Sequence, residues 1–156
     1  MRREFVLTSA DDRELARLHL PAFGGPATVE MPRGVSLTIR RTGMWKPRVT
    51  VRQSGLSNAL AEARAYWTGH YDLDQPIGSA FRWSCLSMWK MHYAWTSFEG
   101  KSLMRFLPAS PFSRRTYHVA CDSPTLQSRT LLAVLGGYLI AVTQDDMAAT
   151  TALIAG

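Results

Sequence analysis

Between Met31 and Ala61 the chain carries six basic residues (Arg33, Arg40, Arg41, Lys46, Arg48 and Arg52) and no acidic one. Against 18 Lys and Arg the whole chain has 12 Asp and Glu, so the 12 basic residues outside this stretch balance the acids. The formal charge of +6 therefore sits in one segment, with Trp45 in its middle. Arg40, Arg41, Lys46, Arg48 and Arg52 beside an exposed tryptophan suit an anionic membrane surface, because indole rings settle at headgroup depth and cations are drawn to acidic lipids. Each Lys or Arg near such a surface contributes ~1 kcal/mol, so five give at most ~5 kcal/mol. That corresponds to a dissociation constant of roughly 0.1–1 mM, a weak contact that salt would screen. The plain alternative is a solvated basic face that aids solubility.

Other residue types could do chemistry, and each has a structural explanation. Trp83, Trp89, Tyr93 and Trp95 could line a ligand pocket, but aromatics at alternate strand positions are ordinarily core, with Met88 and Met91 filling gaps. Cys85 and His92 lack a third partner for nucleophilic catalysis. His118 and Cys121 are three residues apart, which on a strand sends them to opposite faces and away from a shared metal. Asp72 and Asp74 share a strand face, but beside Gln75-Pro76 they read as a solvated turn. No Gly-rich phosphate loop or nucleophile elbow is present. No catalytic residue, metal or cofactor is expected, and no recognition helix, zinc finger or stacking sheet motif supports nucleic-acid binding.

These residues must be held by elements of period two. Phe5 and Leu7 alternate with polar neighbours, and Ala16, Leu18 and Leu20 repeat the pattern before Pro21. Val35, Leu37 and Ile39 predict a half-buried strand, with Val49 and Val51 on its partner and Thr42 to Pro47 as the connecting hairpin loop. In this phase Arg40, Arg48 and Arg52 point outward, while Arg41, Trp45 and Lys46 lie at the tip. Beyond Asn58 the strand pattern resumes through Tyr66, Trp67 and Tyr71. Phe81, Trp83 and Cys85 share one face, Trp89, Met91, Tyr93 and Trp95 another, and Glu99-Gly100 marks a hairpin turn. Tyr117, Val119 and Cys121 end a series of about nine or ten strands, for which sequential antiparallel pairing is the economical arrangement.

The period then changes. Ser123 can cap a helix with Pro124 at its first position. Leu131 to Val142 has no polar face, so a helix there must be buried all round. Its twelve residues reach ~18 Å, short of the ~30 Å of a bilayer core, and no transmembrane segment is expected. In a mostly-β chain such a helix must thread a barrel or sit trapped between a strongly curved sheet and another layer; a threaded barrel would also place Gly136-Gly137 where sheet and helix approach closely. The expected organisation is one domain over residues 1–156. It comprises strands over roughly 3–121, a buried helix over roughly 124–142 and a short tail of polar and small residues over 143–156.

The succession of strands, Trp83 through Trp95, the Glu99-Gly100 turn, Lys101 to Leu107 and the helix from Pro124 to Val142 resemble the tubby-like superfamily. Within it, the resemblance is to the LURP-one-related and phospholipid-scramblase-like branch. The likeness covers roughly Arg3 to Gln144. It implies a closed antiparallel β-barrel with a C-terminal hydrophobic helix buried in its centre, and contact with phospholipids or phosphoinositides. Scramblases carry an acidic, calcium-associated stretch before the last helix, whereas here Asp122 is the one carboxylate between Gly100 and Gln144.

The expected function is a non-enzymatic binding module that contacts an anionic membrane surface or a phosphorylated partner through Arg40, Arg41, Trp45, Lys46, Arg48 and Arg52. The alternatives are an enzyme or small-molecule carrier with an aromatic-lined pocket, and a weak nucleic-acid binder. Basic residues at Arg2 and Arg3 have no signal-length apolar run behind them, and two cysteines make no disulfide framework. The expected compartment is the cytoplasm, with peripheral membrane contact.

Overall fold

The computed structural model describes residues 3–9, 11–22, 25–66, 68–74, 81–112, 116–123 and 129–155. Eleven strands come first: β1 (Arg3–Ser9), β2 (Glu14–Leu20), β3 (Ala27–Glu30), β4 (Ser36–Thr42), β5 (Arg48–Gln53) and β6 (Ala59–Ala65). They continue with β7 (Tyr71–Asp74), β8 (Phe81–Ser87), β9 (His92–Ser97), β10 (Ser102–Pro108) and β11 (Thr116–Cys121), and helix α1 (Arg129–Ala155) follows. Each strand pairs antiparallel with the next, and β1 pairs with β11 to close a barrel. The closing pair is parallel, from Val6 opposite Thr116 to Ser9 opposite Val119. An odd number of alternating strands requires this, because the first and last then run the same way.

Closure turns one face of every strand inward, and the residues there are those the alternation singles out. Phe5, Leu7, Leu18, Ile39, Val49 and Val51 are all buried. On β6 the inward residues are Ala61 and Ala63. The pattern beyond Asn58 is two strands, not one, because a turn at residues 66–70 separates β6 from β7; Trp67 lies outside the described residues. Trp89 does not share a face with Tyr93 and Trp95. Residues 88–91 form the β8–β9 turn, where Met91 takes a left-handed conformation (φ 54°), so the alternation restarts at His92. Met88 is exposed with Trp89 and fills no gap in the core. Cys85 and Cys121, both free thiols, are exposed because their strands run on past the packed lumen.

Helix α1 lies near the barrel axis and is buried on every side from Leu132 to Ala141. Trp83 stacks on Tyr93 and meets Phe106 edge-on, and Trp95 donates its indole N–H to the carbonyl of Leu132 at 2.8 Å. No polar or charged side chain is fully buried among the described residues, so the lumen is an apolar core.

The helix is longer than the apolar run. Pro124, the expected first helical position, lies outside the described residues, and the helical backbone continues to Ala155 instead of ending near Val142. Polarity returns at Thr143-Gln144-Asp145-Asp146, where α1 leaves the lumen, so that change marks the barrel mouth and not the end of the helix. Arg129–Ala148 is also long and apolar enough to cross a membrane by composition, with 56% of its most apolar window buried. The packed barrel accounts for the apolarity of the run from Leu132 to Ala141.

Candidate functional site

The β4–β5 hairpin presents the basic segment at the mouth where α1 emerges. Arg40, which faces Thr50 across the pair, is exposed on the outer barrel face, as are Arg48 and Arg52. Met44 and Trp45 cap the loop at 92% and 82% exposure, with Lys46 exposed beside them. Gly43 turns the loop with φ 86°, and a Cβ there would lie 3.1 Å from the Lys46 carbonyl oxygen, so only glycine fits easily.

Arg41 does not belong to the outward set. Two residues beyond Ile39 it continues the inward phase of β4, and at the barrel mouth it meets the helix. Its guanidinium pairs with Asp146 at 3.2 Å. Burial alone would lower the Arg41 pKa, but the hydrogen bond and charge of Asp146 outweigh it and hold the pKa above the usual arginine value. Arg3 makes the matching pair with Asp145, with a second contact at 2.7 Å. Gln144 reaches the Tyr117 hydroxyl at 3.3 Å. These contacts frame a recess of about 710 Å³ between hairpin and helix, with Arg41, Met44, Tyr138 and Asp145 in its lining.

The outward cations do not form one cluster. Arg48 and Arg52 are four residues apart, which along a strand is about 13 Å. Register supplies what the sequence could not: Arg48 sits directly opposite Arg64 of β6. With Lys46 they border a recess of about 270 Å³ whose wall is completed by Ala65 and Tyr66. Glu62 lies 3.7 Å from Arg48 and 3.4 Å from Arg64, one carboxylate shared between two guanidinium groups. Three cations around a partly aromatic recess can receive an oxyanion through charge-assisted hydrogen bonds. Arg64 was missed because an isolated arginine between alanines has no local signal; only strand pairing places it beside Arg48.

The remaining candidates are structural in their contacts. Trp83, Tyr93 and Trp95 are packed in the core. Asp72 lies in the middle of β7 rather than in a turn and accepts two hydrogen bonds from Arg82, at 2.9 and 3.3 Å; the Asp74 side chain is outside the described residues. His118 lies 2.9 Å from the Thr8 hydroxyl across the β1–β11 seam, and the Cys121 thiol donates to the Ser123 carbonyl. Burial raises the Cys85 pKa, the opposite of an activated thiol. Asp122 is committed to Arg105 and Ser102. No family model, curated protein or solved structure matches this chain.

Proposed function

We propose that this chain is a non-enzymatic module that binds anionic phospholipid headgroups at the cytoplasmic face of a membrane. The carrying observation is the convergence of Lys46, Arg48 and Arg64 on one recess beside the exposed Trp45, with Glu62 shared between the two arginines. The cations supply attraction that acts before contact, and the indole supplies interfacial anchoring. Arg40 and Arg52 extend the positive face along the barrel wall. The carrier or enzyme reading has less support: of the aromatics it needs, Trp83, Tyr93 and Trp95 are packed in the core and Trp89 stands on an exposed turn.

Vesicle binding tests this reading. The protein should co-sediment with phosphatidylserine-containing vesicles at low salt and release as salt rises toward physiological strength. The triple variant Lys46→Glu, Arg48→Glu, Arg64→Glu should lose about 100-fold or more in affinity, from ~1 kcal/mol per cation removed. Its thermal stability should shift little, since exposed substitutions usually cost under ~0.5 kcal/mol each. A wild-type protein indifferent to acidic vesicles at low salt, or a triple variant that binds equally well, would overturn the proposal.

A further inference from the structure

Strand alternation sorts the connections of the barrel onto its two ends. Among the described residues, the loop segments 21–22, 25–26, 43–47, 66, 68–70, 88–91 and 109–112 lie at the end where α1 emerges. Those at 11–13, 31–35, 54–58, 98–101 and 122–123 lie at the opposite end. The two sets differ sharply in composition. The exit-end segments contain no Asp or Glu, whereas the opposite set contains Asp11, Asp12, Glu99 and Asp122. Trp45 and Trp89 fall in exit-end segments, and no tryptophan falls in the other set.

Exposure follows the same division. Among the described residues, the five most exposed large hydrophobic side chains are Trp89 (98%), Phe112 (95%), Met44 (92%), Trp45 (82%) and Met88 (64%). All five belong to exit-end loops. They occupy the tips of three separate hairpins, β4–β5, β8–β9 and β10–β11, spaced around the mouth rather than gathered into a groove. Two of the tips pair an aromatic with a cation in the next position, Trp45-Lys46 and Trp89-Lys90. The acids that α1 brings to this end, Asp145 and Asp146, are paired with Arg3 and Arg41. Beyond them the helix continues to Ala155 through residues 147–155, which include no charged residue.

We propose that this exit end is a membrane-penetrating surface. The barrel stands end-on on an anionic bilayer, with Trp45, Trp89 and Phe112 seated among the headgroups and the neighbouring cations against lipid phosphates. The inference rests on the lipid-binding reading above and adds an orientation and the anchors remote from the basic hairpin. Tips spaced around a barrel mouth define a plane, which a bilayer surface meets at every tip at once. Aromatic rings with a polar edge or an adjacent cation are the side chains that partition to the interface. The absence of acids from these loops supplies the charge complementarity.

Phosphatidylcholine vesicles with and without phosphatidylserine, carrying lipids brominated high on the acyl chain, test it. Tryptophan emission of the wild-type protein should be quenched on binding to the acidic vesicles. Trp89→Ala should lose a large part of that quenching. Trp89→Ala and Phe112→Ala should each weaken binding by about tenfold, as expected for an aromatic side chain no longer removed from water. Phe98→Ala, at the opposite end, should bind as wild type. If wild-type binding is salt-sensitive but unquenched, and Trp89→Ala and Phe112→Ala bind normally, penetration fails while the headgroup site stands. If the wild type binds no acidic vesicle, both fail.

Discussion

A methyl group at Gly136 would lie 2.4 Å from Phe106 Cζ and 2.8 Å from Trp83 Cζ3, closer than real side-chain carbons approach. Both rings are held by their own packing, so neither can withdraw cheaply. At Gly137 the added carbon would meet the methyl groups of Leu7 at 2.9 and 3.0 Å, the far end of a flexible aliphatic side chain rather than a rigid ring. Replacing glycine by alanine inside a helix otherwise adds ~1 kcal/mol of stability. The two substitutions should therefore part company. Gly136→Ala is expected to destabilise on balance, since overpacking costs ~1–3 kcal/mol, and Gly137→Ala to lie near neutral. Thermal melts would read the difference as several degrees, at about 2–4 °C per kcal/mol for a chain of this size. Equal melting temperatures for the two would show that the helix does not face Phe106 and Trp83 as described.

Helix α1 is tied at the barrel mouth by Arg3–Asp145 and Arg41–Asp146, and at the other end the chain leading to it is fastened through Asp122. That carboxylate receives two hydrogen bonds from Arg105, at 2.8 and 3.0 Å, and one from Ser102 at 2.6 Å, while its backbone N–H bonds to the Leu103 carbonyl. The Arg105 hydrogen bond is the main cause that holds the Asp122 pKa below its ordinary value of 3.8; slight burial opposes it, and Ser102 and the Arg105 charge add to it. A lowered native pKa means that the unfolded chain takes up the proton first. The stabilisation is thus complete above the unfolded value and is lost as pH falls through the native one. Asp122→Asn should cost up to about 1 kcal/mol at pH 7, as an ion pair largely open to solvent allows. Compared by denaturant titration at pH 7 and at an acid pH below the lowered native value, the two proteins should converge at the acid one, where wild-type Asp122 has taken up its proton. A penalty of the same size at both pH values would assign the loss to packing rather than to charge.

For the whole molecule, an eleven-strand closure removes every free sheet edge, and the price is a lumen that only another element can fill. Leu132, Val134, Leu135, Leu139 and Ile140 fill it, each at 1% exposure or less. A chain ending at Ser123 would leave that apolar lining empty, with no polar side chain fully buried among the described residues to favour a water-filled interior. It is expected to be insoluble, or to lack a cooperative thermal transition by circular dichroism, whereas the full chain should show strand-dominated spectra with a helix of 27 residues in 156. A truncated chain that melts cooperatively would make α1 an appendage of a self-sufficient barrel.

The period-two runs at Phe5-Leu7, Leu37-Ile39 and Val49-Val51, and the run without a polar face from Leu131 to Val142, were enough to derive a helix enclosed by strands, in a barrel or beneath a curved sheet; closure decided between the two. Burial on both sides of such a helix leaves few arrangements for a chain made otherwise of strands. The outward phase of Arg40, Arg48 and Arg52 was legible for the same reason: a strand with one buried face leaves the other to solvent. What alternation cannot carry is anything that depends on pairing. Arg64 joined Lys46 and Arg48 only because β6 lies in register with β5. Arg41 left the set because its inward phase brought it to Asp146, more than a hundred residues away. Trp89 read as core until a four-residue turn reset the phase before His92. That the loops free of acids share one mouth with the helix exit was likewise invisible, since it follows from the order and number of the strands. Local pattern records which face of each element avoids water; which residues meet across elements is set by register and closure, and these exist only once the chain has folded.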